Sequence, residues 1–332
     1  MTARKALIRL AQSAALVLGV VTLTFILINL APGDPARLWL GPGAGVQELD
    51  AARQALGLDR PLHVRYFSWL ARFVRGDWGT SIAQQRPVIQ IIAAALPHTL
   101  LLTTLSLLVT YIGGIAVGIF QAARNSTKLD TGLTILGLLI YGMPAYWLAI
   151  TLILIFSYGA AVQGWPQWLQ FPALGVSSLD AEFLSPWENL VDRAKHAVLP
   201  LATLGAIGIA GTSRFVRASL LDVRYLDFVR AARAKGISPQ RIELKHILRN
   251  ALLPLVTLLG LSLPALFSGT VFVEVIFAWP GMGRATVTSV LARDYPVVMA
   301  MTAIYAALVV AGNMLADFLY TLADPRARSS VS

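Results

Sequence analysis

Between Arg214 and Arg249 the chain places nine Lys and Arg in 36 positions, with long apolar stretches on both sides. Cations packed this densely serve electrostatic recognition: they orient a chain at a membrane, bind nucleic acid, or set the register of a docked partner. Bond-making chemistry has little to work with. The 332 residues include no cysteine, which excludes disulfides, thiolate metal sites and thiol nucleophiles. Four histidines, His63, His98, His196 and His246, show no ligand spacing, so no metal or resident cofactor is expected. No G-x-x-x-x-G-K-[ST] phosphate loop occurs, so any ATP must be bound on another chain. Serines and histidines read as caps and packing groups, and no catalytic residues are assigned.

The elements that position the basic segment follow from composition. The chain is 56% hydrophobic and 13% charged, with mean hydropathy +0.67; soluble domains carry about a quarter charged residues. This is the composition of an all-α, multi-pass membrane protein, in which lipid and neighbouring helices cover the apolar faces. A span needs about 20 apolar residues. Six charge-free windows qualify: Leu10 to Leu30, Thr99 to Ala122, Thr131 to Ala160, His196 to Ser213, Ala251 to Val273 and Val297 to Ala316. The first exceeds signal-peptide length and lacks a small-residue cleavage site, so it reads as a retained span.

Net charge is +10, but the cations flank spans, where orientation explains them and nucleic acid need not be invoked. With the N-terminus inside, 16 of the 27 Lys and Arg fall on the cytoplasmic side and only four in the two shorter outer loops. Both termini are therefore expected in the cytoplasm. Trp165, Trp168, Trp187 and Trp279 lie in or beside outer loops, as interfacial anchors.

In the outer loop 31–95, the Gly/Pro-rich link Gly41 to Gly45 precedes helical periodicity at Val46 to Leu56 and Pro61 to Val74. These short helices read as a cap on the bundle or as a docking surface for an extracytoplasmic partner. In the basic segment, Asp222 and Asp227 early, Arg230, Arg233 and Lys235 late, and Gly236 as stop predict a helix from Asp222 to Lys235. Ser238 and Pro239 then start a second helix through Asn250, with Leu244, Ile247 and Leu248 at helical spacing. This element reads as a topology-setting basic flank, a DNA-reading helix-turn-helix, or a helix that couples to a partner. Fusion of the second helix to the next span disfavours DNA. Small Ala231, Ala232 and Ala234 beside Gly236 favour close docking.

The run Tyr225-Leu226-Asp227-Phe228-Val229-Arg230-Ala231-Ala232-Arg233-Ala234-Lys235-Gly236, followed by Arg249-Asn250-Ala251-Leu252-Leu253-Pro254, resembles the coupling motif of binding-protein-dependent ABC importer permeases. The resemblance is to the dipeptide/oligopeptide/nickel branch and to the permease with the long first periplasmic loop. Leu30-Ala31-Pro32-Gly33-Asp34-Pro35, Leu56 to Leu62, Arg75-Gly76-Asp77-Trp78-Gly79-Thr80-Ser81, Trp279-Pro280-Gly281-Met282-Gly283-Arg284, Arg293-Asp294-Tyr295-Pro296-Val297 and Asp324-Pro325-Arg326 carry it along nearly the whole chain. The glutamate of the broad permease pattern, six residues before the Gly, is Arg230 here, as in the peptide branch.

The resemblance implies a type I importer permease fold with six transmembrane helices and a cytoplasmic coupling helix between spans four and five. Its organisation would be 1–30 as N-terminus and first span, 31–95 as periplasmic loop, 96–324 as permease core with coupling helix 222–250, and 325–332 as cytoplasmic tail. Implied partners are a second permease subunit in a heterodimer, two ABC ATPase subunits holding ATP and Mg, a periplasmic solute-binding protein, and the lipid bilayer of the bacterial inner membrane. Coupling would fall to Asp227, Phe228, Arg230, Ala231, Ala232, Arg233, Ala234, Lys235 and Gly236. The cargo would be a di- or oligopeptide or a similar solute.

Glu274, Trp279, Pro280, Gly281 and Gly283 form a candidate periplasmic gate, because Pro and Gly break the helix there; an ordinary anchored turn is the alternative. Glu274 and Asp317 near span ends read as snorkelling or capping groups. Asn29, Thr103, Thr104, Ser262, Ser268, Thr270 and Asn313 would line a polar path or join helices. A self-contained channel or secondary carrier is the competing function, and a membrane scaffold a third.

Overall fold

A computed structural model describes residues 3–30, 35–40, 43–55 and 57–323. In chain order its helices are α1 (Ala3–Leu30), α2 (Pro35–Leu40), α3 (Val46–Ala55), α4 (Leu62–Val74), α5 (Val88–Ala123), α6 (Lys128–Gly142) and α7 (Ala145–Ile153). There follow α8 (Ala160–Val162), α9 (Pro186–Arg224), α10 (Asp227–Ala234), α11 (Pro239–Arg241), α12 (Arg249–Ile276), α13 (Met282–Leu291) and α14 (Tyr295–Ala323). Two π-helical segments, Leu154–Gly159 and Ile242–Leu248, join α7 to α8 and α11 to α12. Five helices are long and apolar enough to cross a membrane, at Ala11–Leu30, Val88–Ala123, Ala145–Val162, Pro186–Arg224 and Tyr295–Ala316, among the described residues.

The chain divides into two compact units, Met1–Pro97 with Gly281–Val310 and His98–Pro280 with Ala311–Ser332. In the first, Val21 and Phe25 of α1 pack with Met299 and Ala303 of α14 beside the aromatic face of α4. That face is a ladder of rings: Phe25 meets Tyr66 edge-on at 5.3 Å, Trp69 stacks on Phe73 at 5.1 Å, and Phe73 stacks on Trp78 at 5.4 Å. Offset and edge-on rings add specific geometry to the apolar area that they bury. Asp294, fully buried, accepts from the Ser81 hydroxyl and from the N–H groups of Ile82 at 3.1 Å and Ala83 at 3.2 Å. Two motifs more than two hundred residues apart in sequence, 75–81 and 293–297, therefore meet through one carboxylate.

In the second unit α9 is the central element. It begins with a capping box, in which Ser185 and Glu188 exchange side-chain and backbone bonds, and carries Pro186 in its first turn. Its crossing with α5 depends on glycine. A Cβ at Gly118 would lie 2.7 Å from Val216 Cβ and 2.8 Å from the Ser213 carbonyl oxygen. Gly205 does the same for α5, where a Cβ would meet Val109 at 2.6 Å. Small residues at such crossings let helix backbones approach closely.

The sequence reading needs several corrections. The window Thr131 to Ala160 is broken at Met143–Pro144: Met143 is extended (φ −76°, ψ 134°), because a residue before proline is pushed out of the helical region. The second and fourth windows lie inside helices of 36 and 39 residues, longer than a bilayer requires. The outer-loop helices occur as α3 and α4, and α2 adds a third that periodicity did not reveal. The Ala31–Asp34 part of the first motif, Gly41 and Pro42 of the link, Leu56, and residues 324–332 lie outside the described residues.

Candidate functional site

The basic segment folds as an elbow. α9 ends at Arg224, Tyr225 closes it with φ −92° and ψ −4°, and Leu226 is extended. The helix of the elbow is therefore α10, from Asp227, and Asp222 belongs to the last turn of α9 and not to the start of the elbow helix. Asp227 in its first turn and Arg233 in its last complement the helix dipole. Gly236 adopts φ +72°, its N–H bonds the Arg233 carbonyl at 3.0 Å, and the Ile237 N–H bonds the Ala232 carbonyl at 3.3 Å. This paired closure is the Schellman arrangement, with glycine at its left-handed position.

The second predicted helix does not end at Asn250. It begins at Pro239, passes through the π-helical Ile242–Leu248 and runs on through α12 to Ile276, and Ser238 makes no side-chain cap. Of its predicted apolar face, Ile247 is fully buried whereas Leu244 is exposed.

One face of α10 is buried and the other open. Val229 and Ala232 join Ala122, Val216, Leu220, Ile242, Ile247, Ala251 and Leu255 in one apolar cluster. Phe228, Arg230, Ala231, Arg233, Ala234, Lys235 and Gly236 are exposed, together with Asp227. Tyr225, Leu226 and Leu244 are exposed as well, which leaves an apolar patch amid the cations. Arg230 lies 3.5 Å from Asp227, with both side chains in solvent, so that pair contributes little.

Polar ties fasten the elbow to the helices around it. Arg224 donates to the Ala122 carbonyl at 2.6 Å and to Glu243 at 2.5 Å, joining the ends of α5 and α9 to the π-helical segment. Ser219 donates to the Ala251 carbonyl at 2.8 Å. Arg217 holds Asp130 through two bonds, and Asp130 is 3% exposed. The sequence reading passed over Asp130, Arg217, Arg224 and Glu243; isolated acids in so charge-poor a chain were the available signal.

The candidate gate residues fall in different settings. Glu274 is fully buried and accepts from Thr99 at 2.8 Å, so it neither snorkels nor caps at a surface. Trp279 is 3% exposed and donates from Nε1 to the His98 carbonyl at 3.0 Å, so it is a packed core residue and not an interfacial anchor; Trp168 and Trp187 are exposed as anchors should be. Pro280 is partly buried in the same unit. Gly281 and Gly283 belong to the other unit and are buried at the start of α13, with Gly281 in ordinary extended backbone (φ −93°). The left-handed residue of the turn is Ala278, at φ +51°. Among the polar span residues, Asn29 bonds the Phe25 carbonyl of its own helix, whereas Ser262 meets Tyr111 at 3.0 Å across α12 and α5. Nothing is described of the side chains of Ser268 and Asp317.

Five long apolar helices and an amphipathic elbow are the elements of a multi-pass membrane protein. Residues 114–329 match the family described as "Binding-protein-dependent transport system inner membrane component", and residues 3–103 match its N-terminal companion. The chain belongs to this family and is a permease subunit in the inner membrane, not an enzyme. It is 41% identical over 319 residues to the oligopeptide transport system permease protein AppB of Bacillus subtilis strain 168, covering 96% of this chain and 97% of that one. It is 38% identical over 312 residues to the glutathione transport system permease protein GsiC of Escherichia coli K12, covering 93% and 94%. A solved amino acid ABC transporter chain superposes with TM-score 0.52 at 17% identity, over 70% of this chain and 94% of that one, which shows a shared helical fold.

Proposed function

We propose that this chain is one of two permease subunits of an importer driven by separate ATPases, and that its cargo is a di- or oligopeptide or a peptide-like solute such as glutathione. A periplasmic binding protein delivers the cargo, and ATP with Mg is held by two ATPase subunits. Oligopeptide and glutathione permeases as relatives over more than nine-tenths of the chain support the cargo class. In this reading α12 supplies the sixth span, and both termini and the elbow lie in the cytoplasm, as the distribution of Lys and Arg favours.

The observation that carries the coupling role is the two-faced α10. Val229 and Ala232 share one apolar cluster with the ends of three long helices, α5, α9 and α12, while Tyr225, Leu226, Phe228 and the cations stay open to a partner. An element so fastened passes a push to the attached helices as a rigid lever, provided that the bundle has two states to move between. Asp227 to Gly236 carry the contact, and in this proposal Glu274, Trp279, Pro280, Gly281 and Gly283 form part of the external gate. The test is crosslinking in the assembled transporter from single cysteines at Phe228 and Ala231, the native chain having none. Nucleotide-dependent crosslinks to an ATPase subunit are expected; crosslinks to neither ATPase under any nucleotide condition would refute the docking role. Uptake by liposomes containing this chain alone would instead favour a self-contained carrier.

A further inference from the structure

In the first unit a cavity of about 360 Å³ opens where two spans reach water. Its floor comes from the last turns of the α1 span, at Phe25, Ile28 and Asn29, and from the first turns of the α14 span, at Tyr295, Pro296 and Met299. The wall comes from α4 and the loop after it. Three guanidinium groups line the cavity, those of Arg60, Arg65 and Arg72, against a single carboxylate, Asp77. That carboxylate accepts from the Gly79 N–H at 3.1 Å. None of the three arginines pairs with a carboxylate or makes a side-chain hydrogen bond among the described residues. Arg65 is the deepest: burial pushes its pKa below the ordinary arginine value, against an opposing effect of Tyr295. A guanidinium in that position stays charged and gains from an anionic ligand.

We propose that this cavity binds the phosphodiester headgroup of an anionic membrane lipid. Three observations converge on that ligand. First, the cavity sits at the end of one span and the beginning of another, the depth at which headgroups lie. Second, Trp69, Trp78 and Tyr295 bring amphipathic rings to the same place, as side chains at a bilayer interface do. Third, α1 exposes Leu23, Ile26, Leu27 and Leu30 over the turns that enter the cavity, an apolar track for acyl chains. A planar guanidinium fork matches two phosphate oxygens at once.

The test uses the full chain in detergent and counts bound lipid by native mass spectrometry with dioleoylphosphatidylglycerol, dioleoylphosphatidylcholine or inorganic phosphate as probe. Phosphatidylglycerol should be retained at least about ten-fold better than phosphatidylcholine. The double variant Arg65→Gln/Arg72→Gln should lose that preference, and Arg75→Gln, exposed and outside the cavity, should keep it. If the double variant fails to fold, Arg60→Gln at the rim should still lower retention several-fold. Equal retention of the two lipids, or an unchanged preference in the cavity variants, overturns the proposal. Displacement of phosphatidylglycerol by millimolar inorganic phosphate also overturns it, in favour of a site for free oxyanions.

Discussion

Arg217 clasps Asp130 with both arms of its fork: Nε reaches Oδ1 and Nη2 reaches Oδ2, each at 2.7 Å, while Nη2 also reaches Asn125 at 2.9 Å. The pair ties the first turn of α6 to α9 at a position between Val216 and Leu220, the two α9 residues of the elbow cluster. Breaking a buried pair on one side leaves an uncompensated charge, at a cost of about 3 kcal/mol. Asp130→Asn should accordingly lower the thermal unfolding midpoint in detergent, and Asp130→Asn/Arg217→Gln should recover part of the loss.

The same pair sets an acid limit. The Asp130 carboxyl lies below its ordinary range, chiefly because Arg217 hydrogen-bonds to it, with burial opposing and the Ser126 N–H adding. A carboxylate whose folded pKa is depressed contributes stability that is fully present above the unfolded value, about 3.9, and fades as pH falls toward the folded one. The difference in unfolding midpoint between wild type and Asp130→Asn should thus be constant from about pH 8 to pH 5 and shrink only below about pH 4. A difference already shrinking at pH 6 would contradict this assignment.

Gly118→Ala should destabilise by about 1–3 kcal/mol, the usual cost of overpacking. The new methyl would face the Ser213 carbonyl at 2.8 Å, and backbone cannot swing aside as a side chain can. Gly132, with nothing within 4 Å of an added Cβ, is the control: Gly132→Ala should be neutral or slightly stabilising in the same melt.

Gly236→Val should strain the turn after α10, since a side chain on φ +72° costs about 1–2 kcal/mol. No atom lies within 4 Å of the added Cβ, so the effect is conformational and local. Membrane insertion should be normal while substrate-stimulated ATP turnover and uptake part company. Intact coupling in this variant would show that the turn does not transmit motion.

Trp279→Ala should cost about 3–5 kcal/mol, as a truncated core aromatic does. Trp168→Ala, at a residue 71% exposed, should stay within about 0.5 kcal/mol. Unfolding midpoints of the two variants, measured side by side, check the distinction.

That last pair shows where sequence reading runs out. Hydropathy placed α1, α9, α12 and α14 because charge-free length is what a bilayer selects, and period placed α3 and α4. Gly236 was legible as a stop because few residues other than glycine take a left-handed turn cheaply. Trp279 was not: an indole suits an interface and a core equally, and only its bond to the His98 carbonyl decides. Asp222 looked like a first-turn acid, yet nothing at Val223 and Arg224 interrupts α9, so the helix swallowed it. The Arg217–Asp130 and Arg224–Glu243 ties join residues 87 and 19 positions apart, beyond the reach of local pattern.

The π-helical stretch Ile242–Leu248 sits between the elbow and the 28 residues of α12. Such a stretch holds surplus chain, and tightening it to an ordinary α pitch would feed one residue forward and swivel everything beyond it by about 100°. The joint between α11 and α12 thereby holds, in its own backbone, the length of chain that a turn of α12 about its axis would need.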